Sequence, residues 1–294
     1  MKIIAGPSST ELANKISKLT NWPLVSVNIK RFPDGEFYFK LDERISGEEI
    51  LLVQSLYPPQ DSHVFELFIM LQTIRDHDAK KTHVFIPYLA YSRQDERYLE
   101  GECLSASLMA ELLEKLGAST LYTVDVHNQK VLDMYKIPSY SLSASGELAK
   151  YFVSYDLKDP FIVAPDSEEM ALKRAEIAAK AIGAEYNYFE KSRNRQTGEI
   201  VTYSKAVDVK GRDAIIIDDI ISTGKTSANV AKILKQQGAR RVFVGVSHAL
   251  LLGNALGLLT LSGVDELVGT DSVVNNYAKV SVAPIITKKL KEKH

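Results

Sequence analysis

The segment Ala214–Ser227, AIIIDDIISTGKTS, constrains this chain more than any other stretch. Three β-branched residues, Ile215, Ile216 and Ile217, lead into two adjacent acids, Asp218 and Asp219. A hydroxyl-rich loop follows, Ser222 to Ser227, and then a helical pattern, ANVAKILKQQG, with Val230, Ile233 and Leu234 on one face and Gly238 at its end. Strand, acidic turn, polar loop and helix start together describe a phosphate cradle, because loop N–H groups and a helix N-terminus attract anions. The acids repel phosphate and suit ribose hydroxyls or a Mg²⁺ ion. Gly224-Lys225-Thr226 ends like a Walker A loop, but that motif needs a glycine five positions before its second glycine, and position 219 is Asp. The bland reading is an ordinary βα turn carrying an acid pair. The order of acids, loop and helix favours a ligand site.

With 294 residues, the expectation is two domains, each large enough for its own core. A hydrophobic content of 45% with 25% charged residues is ordinary for a globular protein. The net charge of -1 argues against a nucleic-acid or acidic-membrane partner. The single cysteine, Cys103, excludes an intrachain disulfide, fits a reducing compartment and is expected to pack as a small hydrophobe. The opening MKIIAGPSSTELANKI breaks at Gly6-Pro7, too early for a signal peptide. The longest apolar stretch, Ala249–Leu261, is interrupted by Gly253, Asn254 and Gly257 and falls short of the ~20 residues of a spanning helix. It reads as a buried amphipathic helix, and a cytoplasmic location is expected.

Along the chain, strands are expected at Lys2–Ala5, Val25–Ile29, Phe37–Leu41, Glu49–Gln54, His83–Tyr88 and Thr120–Val126. Helices are expected from a Ser8/Ser9 cap to Leu19, over Ser62–Arg75 with Val64, Phe65, Leu67, Phe68, Met70 and Leu71 as its apolar set, and over Ser105–Leu116. Arg31–Glu36 and Leu89–Gly101 read as loops. The second half repeats the alternation: strands Phe161–Ala164, Ala184–Glu190, Ala214–Ile217, Arg241–Val246 and Glu266–Thr270, helices Glu169–Ile182 and Ser247–Ser262, and a basic polar loop Lys191–Gly198. The predicted fold class is α/β: two similar domains, each a mostly parallel sheet flanked by helices. The predicted boundaries are 1–143, 144–279 and a tail 280–294 that is a candidate to pack on the first domain. Ligands then belong at the carboxyl ends of the strands. Arg93-Gln94-Asp95, His127, Asp166, Lys191/Arg193 and Asp218/Asp219 all follow strands.

Taken singly, most of these strings have a plain reading: Phe32–Glu36 as a turn, His127 as a structural hydrogen-bonder, Lys191 and Arg193 as a solvated basic loop. Taken together, FPDGE, PYLAYSRQD, DVHNQ, APD, EKSR, DDIISTGKT and SHALLLGNA resemble the ribose-phosphate pyrophosphokinase, or PRPP synthetase, family from Phe32 to Ser272. The resemblance implies two domains of the phosphoribosyltransferase type and transfer of the diphosphoryl group of ATP to O1 of ribose 5-phosphate, releasing AMP. It implies that Phe32 stacks on adenine, with Asp34 and Glu36 accepting from its amine and holding the turn. It also implies that this turn reaches a neighbouring subunit, with a homodimer as the smallest unit and larger homo-oligomers open. Arg93 and Gln94 become nucleotide and phosphate contacts, and His127 and Asp166 the holders of Mg²⁺-ATP. Lys191 and Arg193 become the catalytic cations of a lid loop, Arg193 also serving ribose 5-phosphate. Ser222, Thr223, Gly224, Lys225 and Thr226 hold its 5-phosphate, and Asp218 and Asp219 its hydroxyls or a second Mg²⁺.

Attack is expected in line and without a covalent enzyme intermediate, since phosphoryl transfer asks mainly for positioning and charge stabilisation. Two departures from the family pattern stand out. Lys225 occupies a usual glycine position, where it either bears strain at φ > 0 or adds charge near the phosphate. Glu168 and Glu169 replace a usual Gly-Gly after Asp166. A non-catalytic PRPP-binding relative would lack Lys191, Arg193, His127 or Asp166, and all are present. A base phosphoribosyltransferase would typically be one domain without an FPDGE turn.

Overall fold

The computed structural model describes residues 1–193, 200–203 and 207–292, with backbone alone for 191–193 and 200–203. The chain divides into two compact units: 1–142 with 272–274 and 281–294, and 143–271 with 275–280.

In the first unit, β1 (Lys2–Ala5), α1 (Thr10–Thr20), β2 (Val27–Arg31), β3 (Phe37–Leu41), β4 (Glu49–Val53), α2 (Gln60–Asp76), β5 (Lys81–Ile86), α3 (Ser105–Lys115), β6 (Ala118–Val124) and β7 (Ser139–Leu142) follow in order. A parallel sheet runs β1-β4-β5-β6-β7, with Ile3 opposite Leu51 and Leu51 opposite His83. Its central strands β4 and β5 carry continuous buried apolar runs, Ile50–Val53 and Val84–Ile86, as a sheet covered on both faces requires. Strands β2 and β3 stand outside it as an antiparallel ribbon, so Arg31–Glu36 is the tip of a hairpin rather than a plain loop. The ribbon's base is buried through Phe39 and Leu41.

Three expectations are corrected here. Phe65 on α2 is 63% exposed, because the helix buries only Val64, Glu66, Leu67, Met70, Leu71 and Ile74. Cys103 is exposed in the polar loop before α3 instead of packed. Ser8 and Ser9 do not cap α1: the Ser8 hydroxyl donates to the Ser55 carbonyl at 2.6 Å and the Ser9 hydroxyl accepts from the Ser55 N–H at 2.8 Å.

The second unit contains α4 (Ser145–Phe152), β8 (Phe161–Ala164), α5 (Glu169–Ile182), β9 (Glu185–Tyr188), β10 (Glu190–Arg193), β11 (Ile200–Tyr203), β12 (Asp213–Ile221), α6 (Lys225–Gln236), β13 (Arg241–Ala249), α7 (Ala255–Leu261), β14 (Glu266–Thr270) and β15 (Ala278–Val280). Its parallel sheet runs β15-β14-β13-β12-β8-β9. From β8 the chain builds one way to β9 and the other way through β12 to β15. The strand order therefore reverses between β8 and β12, which is where open α/β sheets form a ligand crevice. Alternation along β12 and β13 places Ala214, Ile216, Val242 and Val244 in one core with Val230, Leu234 and Leu259 of α6 and α7. On the other face Phe243 packs against Phe152 of α4, ring centroids 5.2 Å apart.

Beyond β15 the chain returns to the first unit as α8 (Ala283–Lys291), which packs on α1. The expected helix from Ser247 is also corrected. Its first three residues belong to β13, only Ala255–Leu261 is helical, and Leu252, Leu256 and Leu261 are exposed.

Asp213 anchors the start of β12. It is fully buried and accepts from the Lys158 N–H at 2.8 Å, from Arg240 Nε at 2.8 Å and from Arg241 at 2.7 Å. Burial alone would push its carboxyl up, but the hydrogen bonds from Arg240, Arg241 and Lys158, with the Arg241 charge, hold it well below the usual carboxylate range. Asp213→Asn is expected to cost about 1.5–3 kcal/mol at neutral pH. A depressed carboxylate contributes above its unfolded pKa and loses that contribution as pH falls through the folded value. The gap between wild type and variant in urea denaturation should therefore be full above about pH 4 and shrink below it.

Candidate active site

The crevice between β8 and β12 collects four charged side chains. Strand β12 does not end at its acids as expected. It continues to Ile221, because its pairing with β13 extends to Ile221 opposite Ala249, so Asp218 and Asp219 sit within the strand. Successive strand residues face opposite ways. On the α5 face, Asp219 meets Arg174, whose guanidinium donates to Oδ1 at 3.2 Å. Both are nearly inaccessible, at 3% and 4% exposure. Arg174 reaches the strand from a stripe of alanines, Ala171, Ala175, Ala178 and Ala179, that lets α5 lie close to the sheet. Asp218 accepts the Asp219 N–H at 2.9 Å. Burial pushes the Asp218 carboxyl well above its usual range, the charges of Asp219 and Asp166 push the same way, and Arg174 opposes them. Asp166, just past β8, is buried and accepts the Glu168 N–H at 3.2 Å, closing a turn onto α5. Glu168 and Glu169 are exposed.

The loop after β12 is braced from the neighbouring strand's end. Leu250 and Leu251 donate to the Ile221 carbonyl at 3.0 Å, and Leu252 to the Ser222 carbonyl at 2.8 Å. This accounts for the SHALLLGNA string. Gly224 takes φ +77°, and an added Cβ would lie 3.3 Å from the Ala255 carbonyl oxygen, so a side chain there meets both strain and backbone. The positive φ falls on Gly224. Lys225 has none and opens α6 as its first residue, exposed, which removes the strain alternative. Gly224 precedes α6 with no side chain to cap it, leaving the first-turn N–H groups of Lys225, Thr226 and Ser227 facing outward from the helix end. Ser222 and Thr226 are half-buried and Thr223 exposed along the same loop.

Lys191 and Arg193 lie on β10, which pairs antiparallel with β11, Lys191 opposite Thr202 and Arg193 opposite Ile200. The expected loop is thus a two-stranded arm at its base, and 194–199 lie outside the described residues.

The remaining candidates are in the first unit. At the hairpin tip, the Phe32 N–H donates to the Glu36 carbonyl and the Gly35 N–H to the Phe32 carbonyl, both at 2.9 Å. Asp34 Oδ1 accepts the Glu36 N–H at 3.1 Å, so Asp34 holds its own turn. Phe32 is 40% exposed, edge-on to Tyr38 at 5.7 Å, with the Lys30 ammonium 4.9 Å from its ring. In the PYLAYSRQD loop, Arg93 and Gln94 are exposed, and Gln94 accepts from the Ser105 hydroxyl. The neighbouring Asp95 accepts from Asn128 at 2.6 Å, tying this loop to the segment that carries half-buried His127. His127 and Asp166, paired in the sequence reading, stand in different units.

Comparison with known proteins agrees with this layout. Residues 1–117 match the family model for the N-terminal domain of ribose phosphate pyrophosphokinase, and 198–291 the one for the phosphoribosyl synthetase-associated domain. The chain is 40% identical over 294 residues to a ribose-phosphate pyrophosphokinase of Sulfurisphaera tokodaii, covering 99% of this chain and 100% of that one. It is 37% identical over 286 residues to the Sulfolobus acidocaldarius protein of the same name, covering 97% of each. The crystal structure of phosphoribosylpyrophosphate synthetase from Mycobacterium smegmatis matches with a TM-score of 0.85 and 26% identity, over 99% of this chain and 98% of that one. The chain belongs to the ribose-phosphate pyrophosphokinase family.

Within this member of the pyrophosphokinase family, the sequence reading missed Arg174. Its only signal is a charged residue in register with the buried alanines of α5. A buried ion pair that loses one partner leaves the other charge without compensation. Arg174→Met, close in size, should therefore lower stability by about 3–5 kcal/mol. Denaturant unfolding measures this, and a loss under about 1 kcal/mol, the scale of an exposed pair, would mean that Asp219 is not held by Arg174.

Proposed function

We propose that this chain transfers the β,γ-diphosphoryl group of ATP to O1 of ribose 5-phosphate, giving PRPP and AMP, by direct in-line attack with no covalent enzyme intermediate. The observation that carries this reading is the pairing of two opposite chemistries at one strand end. The uncapped first turn of α6 offers N–H donors to a dianionic phosphate. A few residues upstream, the Asp218 and Asp219 carboxyl groups offer oxygen acceptors to sugar hydroxyls. A ribose phosphate carries both complements, phosphate at C5 and hydroxyls on its ring. Ser222, Thr223, Gly224, Lys225 and Thr226 then hold the 5-phosphate, Lys225 adding a cation at the helix start.

For the nucleotide, Phe32 offers a partly exposed ring for stacking, and Glu36 an exposed carboxylate beside it. Asp34 serves by keeping the turn closed. Arg93 and Gln94 are placed on a loop anchored to α3 and to the His127 segment, and take the phosphate side of ATP. Lys191 and Arg193, on the arm of β10, neutralise the charge that spreads over the transferred group as the O1 attacks and AMP leaves.

The acid cluster suits a hard divalent cation. Buried Asp218 is pushed toward its protonated form by burial and by two neighbouring carboxylates, an excess of negative charge that a cation offsets. Asp166 of the second unit and His127 of the first are each proposed as a Mg²⁺ ligand, an ion that needs few protein ligands and retains waters. When bound, the ion neutralises and orients the phosphoryl oxygens. The exposed hairpin tip is taken to complete the nucleotide site of a second copy, which makes the active species a homo-oligomer.

The purified protein should form AMP and PRPP in equal amounts from ATP, ribose 5-phosphate and Mg²⁺, lose the activity with a chelator, and sediment as a dimer or larger. PRPP binding without AMP formation would replace this reading with that of a sensor, and consumption of PRPP with a free base would replace it with that of a transferase. Lys191→Ala should lower kcat by about 10²–10³-fold with little change in nucleotide affinity. An unaltered kcat would remove Lys191 from the mechanism.

A further inference from the structure

The hairpin β2–β3 lies outside the parallel sheet, and an isolated two-stranded ribbon is marginal in water. Its tip nevertheless has a defined attachment. Arg31, the last residue of β2, donates through one guanidinium nitrogen to the Gly35 carbonyl at 3.0 Å, inside the turn. Through the other it pairs with Glu66 of α2. Its guanidinium also lies over the Phe37 ring, 5.8 Å from the centroid. Glu66 is only 3% exposed, an unusual place for a carboxylate, and its second oxygen accepts from Gln54 Nε2 at 3.1 Å. Gln54 is fully buried at the end of β4, and its side-chain oxygen accepts the Ser8 N–H at 3.3 Å. The space for it exists because position 6 is glycine, where a Cβ would fall 2.1 Å from Gln54 Oε1.

We propose that Glu66 is a positioning residue for the nucleotide. Buried beneath the hairpin, it links the end of β4 through Gln54 to Arg31, and Arg31 holds the turn 32–36 at a fixed angle to the sheet. Arg31 is half-exposed, so a packing role alone would not hold it in place. The charged acceptor beneath it selects one arrangement, since buried charges are retained where a single geometry is specified. The inference rests on the reading of Phe32–Glu36 as the adenine-binding turn.

The test begins with wild-type enzyme, whose AMP formation establishes the parent reading on its own. Glu66→Gln places an amide where Gln54 or Arg31 must find an acceptor, and should raise KM for ATP by about 10-fold, the scale of one charge-assisted hydrogen bond. KM for ribose 5-phosphate and kcat should stay within about twofold, since Gln54, Glu66 and Arg31 bond to none of the residues assigned to that substrate. Arg31→Gln, at a half-exposed position that tolerates change, should reproduce the same split even where Glu66→Gln folds poorly. The double variant should be no worse than the weaker single one, as members of one chain are not additive. Wild-type activity with an unchanged KM for ATP in folded Arg31→Gln overturns the proposal. So does a parallel rise in both KM values, which a general loss of structure would give.

Discussion

Placing two adjacent carboxylates inside a buried parallel strand is an electrostatic burden, and the second unit is arranged around meeting it. Each ionised group that leaves water must find partners or take up a proton. Asp219 finds Arg174, and the guanidinium can reach it only because α5 presents small side chains to the sheet. Asp218 takes the next N–H of its own strand and, crowded by its neighbours, is held toward its protonated form. The result is a crevice with standing demand for a cation or for hydroxyl donors. A few residues on, the start of α6 has the reverse demand. Opposed polarity over one strand–loop–helix passage is what the proposed ligand, anionic at one end and hydroxylated at the other, would complement.

The first unit handles its charge differently. Glu66 lies under a ribbon rather than at a strand end, and its partners run sideways from the sheet to the tip of the hairpin. Both units thus contain nearly inaccessible carboxylates paired with arginines, Glu66 in the first and Asp213 and Asp219 in the second. In the second unit the Asp219–Arg174 pair ties α5 to β12. In the first it fixes the attitude of a projecting arm.

Much of this was legible in the sequence, and the exceptions share a cause. The parallel strands were readable because strands covered on both faces are continuous apolar runs. The segment 214–227 was readable because acids, hydroxyls and glycine occur in a fixed order. Its strand was cut short at Ile217 because two acids read as the end of a strand, whereas pairing to β13 carries it to Ile221. The hairpin tip read as a loop because Arg31 to Glu36 is polar and its strands bury little. Arg174 and Glu66 escaped notice because each is a charge on the buried face of a helix, and its partner is far away in sequence. Ala249–Leu261 misled because hydrophobicity alone does not say whether a residue ends a strand, starts a helix or stays exposed. Lys225 was ambiguous until the positive φ fell on Gly224.

The return of α8 to α1 has a further consequence for how such a chain comes into being. The first unit is discontinuous: besides 1–142, it needs 272–274, whose Ser272 carbonyl accepts from the Ser55 hydroxyl, and the helix from Ala283. Synthesis proceeds from the N-terminus, and domains generally fold as they emerge. Here the first part to leave the ribosome cannot cover α1 until almost the last residues arrive. The second unit, continuous but for 275–280, is the one that can mature first. The first unit therefore waits on residues that follow the second, and a chain halted early would expose an unfinished helix surface rather than a free-standing first domain.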